Sequence, residues 1–158
     1  MEPLEVLNRG FGGAQISHVI YHFEEIIKPY GPKAIVFFCG TNDLTALKTP
    51  EETMSDFKKF LSLVRNEFGN IKVYVIGIKP SVDRFYLDKE ERIFNSSIKL
   101  LASQDAYLEY IDVWDSMLSE DGSRMPELFI EDGLHMNKKG YEVWTMQVRK
   151  ILSKDFNI

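Results

Sequence analysis

The sequence is poor in three features that would each indicate a particular class of protein. Cys39 is its only cysteine, so the chain can form no intrachain disulfide and offers no Cys/His framework for a structural metal. No apolar run approaches the roughly 20 residues that a membrane-spanning helix needs. Basic residues are not in excess either, because 24 acidic residues outnumber 19 Lys and Arg and give a formal net charge of −5. These absences argue against a disulfide-stabilised domain, a membrane-spanning protein and a nucleic-acid-binding protein.

What the chain does contain is ample material for one hydrophobic core. Its 158 residues are 44% hydrophobic and 13% aromatic, which suits one domain over residues 1–158. The single cysteine is compatible with a reducing compartment, and we expect a cytoplasmic location.

Short apolar runs alternate with longer amphipathic segments, which is the pattern of an α/β protein. We predict strands that end near residues 6–8 and span 34–38, 73–78 and 107–112. We predict helices over 16–27, from Thr49 onward, over 89–103 and after Asn137. The helix start at Thr49 is the clearest, because Thr49, Pro50 and Glu52 have the spacing of a capping box.

Right-handed crossovers between these strands predict a three-layer α/β/α sandwich with a parallel, flavodoxin-like sheet. Active sites in such sheets lie beyond the carboxyl ends of the strands. Residues 10–13, 40–42 and 79–84 all fall at such ends, and residues 132–135 can reach the same rim from the start of the last helix. We therefore expect a functional site there.

The segment 132–135, Asp-Gly-Leu-His, is the strongest candidate for catalysis. The chain has only three histidines, and His135 lies three residues after Asp132. Histidine moves protons near neutral pH, and a carboxylate on its second ring nitrogen fixes the tautomer. The alternative is an Asp turn followed by an exposed histidine.

Together with two glycine-rich segments, this pair resembles the SGNH hydrolases, also called GDSL-type lipases and esterases. Residues 8–13 (Asn-Arg-Gly-Phe-Gly-Gly) are similar to that family's second block, and residues 40–43 (Gly-Thr-Asn-Asp) to its third. Residues 132–135 are similar to its fifth block. The resemblance implies that Gly13 and Asn42 form the oxyanion hole and that Asp132 orients His135, the general base.

Other roles stay open for Gly13 and Asn42. Asn42 is also suited to capping its own backbone, the commoner use of Asn in a glycine-rich turn. Gly13 is also expected wherever a turn requires positive φ, which is compatible with an amide that points outward.

The family's first block, which carries the nucleophilic serine in a Gly-Asp-Ser turn, has no counterpart in this sequence. The resemblance therefore implies that the central first strand is missing and that the chain is truncated relative to the family. Ser81 is the candidate substitute nucleophile, because it follows the third predicted strand on the catalytic rim. Ser17 is expected to face solvent or the sheet, and Cys39 to be a small core residue.

Three further features have weaker functional interpretations. His18 and His22 have a spacing that suits a metal pair, but no third ligand follows by spacing, so a solvated helix face is favoured. Arg84 is suited either to steering an anionic substrate group or to a surface salt bridge. The glycines of residues 10–13 lack the dinucleotide-binding spacing. We expect no metal and no cofactor.

We therefore expect a carboxylic ester hydrolase that acts on short acyl esters of small molecules by a Ser-His-Asp mechanism. The alternative is an inactive chain of the same fold that serves as a binding or assembly module. Loss of a central strand leaves unpaired strand edges. We accordingly expect a homo-oligomer, with exchange of strands between chains.

Overall fold

The computed structural model describes residues 4–157, and these contain three strands and six α-helices. The strands are β1 (Ala34–Phe37), β2 (Lys72–Ile76) and β3 (Leu108–Ile111). The helices are α1 (Ile16–Tyr21), α2 (Phe23–Ile26), α3 (Thr41–Thr45), α4 (Pro50–Phe68), α5 (Asp88–Ala102) and α6 (Lys138–Leu152). Four short 3-10 helices occupy Lys28–Tyr30, Phe85–Leu87, Asp115–Met117 and Pro126–Leu128.

The strands form one parallel sheet in the order β1-β2-β3. Side chains alternate across β2, so Val73 and Val75 pack on one face while Tyr74 and Ile76 pack on the other. The first face lies in a core with Phe57 and Phe60 of α4 and Phe94 and Ile98 of α5, and the second lies with Trp144 and Leu152 of α6. Helices cover both faces, which confirms the predicted three-layer α/β/α sandwich.

The capping box forms as the sequence predicts. Thr49 Oγ1 accepts a 3.1 Å hydrogen bond from the Glu52 amide, and Glu52 Oε2 accepts a 2.8 Å bond from the Thr49 amide. The first amides of a helix have no hydrogen-bond acceptor within the helix. The capping box supplies such an acceptor for the Glu52 amide.

Two predicted elements near the start of the chain are wrong. The segment around residues 6–8 is exposed and forms no strand, because no neighbouring strand supplies hydrogen-bond partners for its backbone. The single helix predicted over 16–27 is divided at His22, whose ψ of 7° departs from helical geometry. His22 is the only residue between α1 and α2, and its amide still donates a hydrogen bond to the His18 carbonyl.

Within the part of the chain that the structure describes, the outer strands β1 and β3 each pair on one side only. β1 pairs with β2 along one side only, and Val36 on this strand is 48% exposed. No helix formed by residues 4–157 combines the length and the apolar character needed to cross a membrane.

Candidate active site

The carboxylate of Asp132 and the imidazole of His135 are in direct contact. His135 Nδ1 lies 2.6 Å from Asp132 Oδ2, while Asp132 Oδ1 accepts 2.8 Å bonds from the backbone amides of Leu134 and His135. Gly133 makes this tight turn possible because its φ is +65°, a conformation that strains other residues. The pair is therefore built locally, by a turn whose own amides hold the carboxylate in place.

These contacts favour the ionised carboxylate. The His135 hydrogen bond and the two backbone amides lower the pKa of Asp132 to about 2. The His135 side chain is 72% exposed, so its second ring nitrogen is accessible from the rim of the sheet. An ionised Asp132 on Nδ1 leaves Nε2 as the proton acceptor, which is the tautomer that a general base requires.

A second loop of the rim, residues 79–84, holds the turn in position. The Asp83 amide donates a 3.0 Å hydrogen bond to the Gly133 carbonyl. A Cβ atom on Gly133 would lie 3.2 Å from Val82 Cβ, so the close approach of the two loops also favours glycine here. The structure thus brings residues 132–135 to the carboxyl end of β2, as predicted.

Asn42 lies in α3, just beyond the carboxyl end of β1, and its carboxamide is held at both ends. Its Nδ2 donates a 3.0 Å bond to the Ala14 carbonyl, and its Oδ1 accepts a 3.1 Å bond from Arg84 Nη1. An amide nitrogen carries two hydrogens, so one N–H of Asn42 is left to donate to another group. Asn42 does not cap its own backbone, and Arg84 forms hydrogen bonds here rather than the surface salt bridge that was the alternative.

Gly13 is brought beside Asn42 through its neighbour Ala14. The Ala14 carbonyl accepts from Asn42 Nδ2 and, at 3.4 Å, from Cys39 Sγ, which fixes the peptide that follows Gly13. Gly13 has a φ of +71° and is exposed, with no atom within 4 Å of the position of a Cβ. Its conformation, not lack of space, therefore explains the glycine.

A partly buried polar network that contacts Asn42 was not predicted from the sequence. Arg84 Nη1 also donates to Thr41 Oγ1 at 3.0 Å, and Thr41 Oγ1 donates to Glu91 Oε1 at 3.1 Å. Glu91 is fully buried, and burial raises its pKa to about 7. A carboxylate on the inward face of an amphipathic helix was the one available signal, because Glu91 lies three residues before the core residue Phe94.

The other residues that the sequence offers as nucleophiles are buried or hydrogen-bonded to groups other than His135. Ser81 is only 2% exposed, and its carbonyl accepts a 3.0 Å bond from Arg124 Nε. Cys39 lies in the core, where burial raises the pKa of its thiol to about 12. Ser17 Oγ accepts a 3.5 Å bond from Lys48 Nζ. Within residues 4–157, no serine hydroxyl lies within hydrogen-bond distance of the His135 ring.

His18 and His22 do not form a metal pair. His18 Nδ1 accepts from the Gln15 amide at 3.3 Å, whereas His22 Nδ1 contacts Glu25 Oε2 at 3.2 Å. Among the described residues, no three His, Cys, Asp or Glu side chains cluster as a metal site requires.

Comparison with curated proteins gives distant relatives. The chain is 27% identical over 156 residues to the N-acylneuraminate cytidylyltransferase of Escherichia coli O18:K1:H7, a match that covers 96% of this chain and 36% of the relative. It is 26% identical over 142 residues to the platelet-activating factor acetylhydrolase IB subunit alpha2 of Rattus norvegicus, covering 88% of this chain and 60% of the relative. The chain thus spans between about a third and three fifths of these relatives' lengths.

Solved structures share the fold. A GDSL-like lipase from Bacteroides thetaiotaomicron superposes with a TM-score of 0.75 at 19% identity, over 91% of this chain and 73% of that chain. The family model of the GDSL-like lipases and acylhydrolases matches residues 2–143. The chain belongs to this GDSL-like lipase/acylhydrolase family.

Proposed function

We propose that this chain hydrolyses carboxylic esters with short acyl groups, with His135 as general base and Asp132 as the residue that orients it. The observation that carries the proposal is the 2.6 Å contact between Asp132 and an accessible His135. Membership of the hydrolase family supports it, as does the name of the rat relative, an acetylhydrolase.

In the proposed reaction a serine hydroxyl attacks the ester carbonyl while His135 Nε2 takes its proton. The carbonyl oxygen becomes an oxyanion, which the free N–H of Asn42 and the backbone amide of Gly13 stabilise. The intermediate then expels the alcohol, which receives the proton from His135. Water, deprotonated in turn by His135, releases the acyl group as a carboxylic acid and restores the serine.

The proposed mechanism requires a serine nucleophile. The sequence has no Gly-Asp-Ser segment, and Ser81 is the substitute that we propose within this chain. Because Ser81 is 2% exposed, its hydroxyl reaches a substrate only if the surrounding residues move.

A fluorophosphonate probe tests the proposal directly, because it reacts with activated serines. We expect labelling that requires His135, and mass spectrometry of the labelled peptide identifies the serine. Turnover of p-nitrophenyl acetate should exceed that of p-nitrophenyl octanoate. Ser81→Ala is compared with Ser62→Ala, a matched change at an exposed serine of α4. Labelling that survives in Ser81→Ala would reject Ser81, and no labelling or turnover would reject the hydrolase.

The second candidate is an assembly module, and the open edge of β1 favours it. Among residues 4–157, no strand pairs with the outer side of β1, and the exposed segment before Gly10 includes Val6, which is 78% exposed. We propose that a second copy pairs with this edge and exchanges strands. Light scattering should show a dimer that Val36→Lys dissociates, with Lys58→Met, at an exposed position of α4, as control. A monomer at micromolar concentration contradicts the proposal.

A further inference from the structure

The reaction proposed above gives Arg84 no role, although its side chain contacts Asn42 directly. Its Nη1 donates a 3.1 Å hydrogen bond to Asn42 Oδ1, while Asn42 Nδ2 donates to the Ala14 carbonyl at 3.0 Å. A guanidinium can only donate and a carbonyl can only accept, so these two partners assign the oxygen and the nitrogen of the carboxamide. The contact therefore sets which end of Asn42 carries the second N–H.

A carboxamide that is bonded at one end only is not fixed in rotation. The χ2 torsion of asparagine has broad minima, so the bond to Ala14 alone leaves the Asn42 side chain able to rotate about it. The second bond, from Arg84, restricts this rotation. A donor that is already oriented stabilises an oxyanion without a cost of reorganisation, and a cation on Oδ1 also polarises the amide and strengthens its N–H as a donor.

Helix α5 anchors the guanidinium of Arg84. The same Nη1 donates to Thr41 Oγ1 at 3.0 Å, and Thr41 Oγ1 donates to Glu91 Oε1 at 3.1 Å. Asn95 is buried one turn farther along the same face of α5. Its Oδ1 accepts a 2.8 Å bond from the Ile78 amide, and its Nδ2 donates a 2.8 Å bond to the Ile78 carbonyl. The helix therefore holds both the end of the Arg84 side chain and the backbone at which its loop begins.

Neighbouring residues of this loop contact the two parts of the candidate site. The Asp83 amide donates a 3.0 Å hydrogen bond to the Gly133 carbonyl, in the turn that carries His135. The side chain of the next residue, Arg84, contacts Asn42. The loop thus connects the orientation of the proposed oxyanion donor to the turn of the proposed general base.

We propose that Arg84 is a positioning residue for ester hydrolysis, and that it acts by fixing the carboxamide of Asn42 through Nη1. The catalytic role rests on the proposed function, whereas the contact that restrains the carboxamide does not. Loss of the guanidinium is expected to leave Asn42 in place but mobile about χ2, so that its second N–H would meet the oxyanion less often.

Nuclear relaxation of the Asn42 side chain tests this restraint without catalysis. The Nδ2 signal is assigned in the ¹⁵N-labelled chain from its absence in Asn42→Ala, and its order parameter is measured. In the wild type we expect about 0.85, the value of rigid backbone, and in Arg84→Met a value below about 0.6. Arg149→Met, at an exposed arginine of α6, is the matched control and should leave the order parameter unchanged.

The backbone signals in the same spectra show whether each variant is folded. Arg84→Gln, which keeps a polar end but has no guanidinium, replaces Arg84→Met if that variant does not fold. The proposal is overturned by an Asn42 side chain that is already mobile in the wild type. It is also overturned by an order parameter that stays unchanged in the folded Arg84 variant, or that falls equally in Arg149→Met.

A double-mutant comparison tests the catalytic role with p-nitrophenyl acetate. Arg84→Met should lower kcat roughly 10- to 100-fold, less than the roughly 10²- to 10³-fold loss for removal of a whole oxyanion donor, with KM within about twofold. In an Asn42→Ala background the same change should lower kcat by less than about twofold, because Arg84 then has no carboxamide to restrain. Arg84→Lys, which keeps a cationic donor, should recover part of the loss. Losses that multiply in the double variant would show that Arg84 acts by another route and would overturn the proposal.

Failure of this proposal and failure of the proposed function give different results. Increased mobility of Asn42 in Arg84→Met, without fluorophosphonate labelling or turnover, supports the positioning contact and removes the hydrolase. Labelling and turnover with the same kcat in wild type and Arg84→Met support the hydrolase and overturn the positioning role.

Discussion

The Asp132–His135 turn and the network around Asn42 are the two parts of the candidate site, and they are built in opposite ways. The turn is exposed and local, with its partners three residues apart, whereas the network joins Asn42 to Arg84 and Thr41 to Glu91 across 42 and 50 residues. The turn can form wherever its four residues are presented. The network exists only when β1, β2 and α5 have packed, so a change in the network should affect folding as well as chemistry, and a change in the turn should affect chemistry alone.

The largest effect on hydrolysis is expected for a change in the Asp132–His135 turn. His135→Ala removes the proposed general base, so turnover of p-nitrophenyl acetate should fall by roughly 10⁴- to 10⁶-fold. Because the side chain is 72% exposed, the free energy of unfolding in urea should change by less than about 0.5 kcal/mol. A large loss of stability would show that the turn is not independent of the packed fold.

A change in the network around Asn42 should lower both the rate of hydrolysis and the stability of the fold. Asn42→Ala removes a proposed oxyanion donor, so kcat should fall by roughly 10²- to 10³-fold. It also removes one hydrogen bond from the Ala14 carbonyl and one from Arg84, and the free energy of unfolding in urea should fall by about 1–3 kcal/mol. Asn66→Ala, at an exposed position of α4, is the matched control and should change neither quantity. Unchanged stability in Asn42→Ala would contradict the distinction between the two parts.

Glu91 makes the stability of the network depend on pH. Its pKa rises from 4.5 to about 7, through burial first and the charge of Asp88 second, against the opposing effects of Thr41, Lys79 and Arg84. The folded state therefore binds the extra proton between these values, and stability present below pH 4.5 is lost as the pH rises through 7.

Glu91→Gln should remove this dependence. At pH 8 the variant should be more stable than the wild type by on the order of 2 kcal/mol, and the difference should vanish below pH 4.5. Urea unfolding across this range measures it, with Glu142→Gln, at an exposed position of α6, as the control. A variant that is less stable at pH 8 would show that the charged Glu91 supports the network through Lys79.

The smallest effect is expected at a local feature outside the site. Thr49→Ala removes the cap of α4 and should cost about 1 kcal/mol of unfolding free energy, with hydrolysis unchanged. Thr49→Ser should restore most of the stability, because serine can accept the same bond from the Glu52 amide. A drop in turnover in Thr49→Ala would mean that a local cap influences the distant site.

Sequence reasoning succeeded where the controlling contacts are close along the chain. The α/β class, the start of α4 and the approximate positions of β2, β3, α5 and α6 follow from periodicity and caps. It failed for the strand at residues 6–8, since a strand requires a partner that periodicity cannot supply. It also missed α3, because the five residues of that helix carry no apolar period and are held by contacts to Ala14, Arg84 and Glu91.

The sequence by itself determined the family and the Asp132–His135 pair, because three short blocks and one turn encode them. Only the tertiary structure decided how the carboxamide of Asn42 is oriented, that Glu91 and Lys79 are buried, and that Ser81 is hidden. The physical reason is the range of the contacts. Hydrogen bonds within a turn are set by the order of residues, whereas burial and bonds across 42 or 50 residues arise only when the layers of the sandwich close.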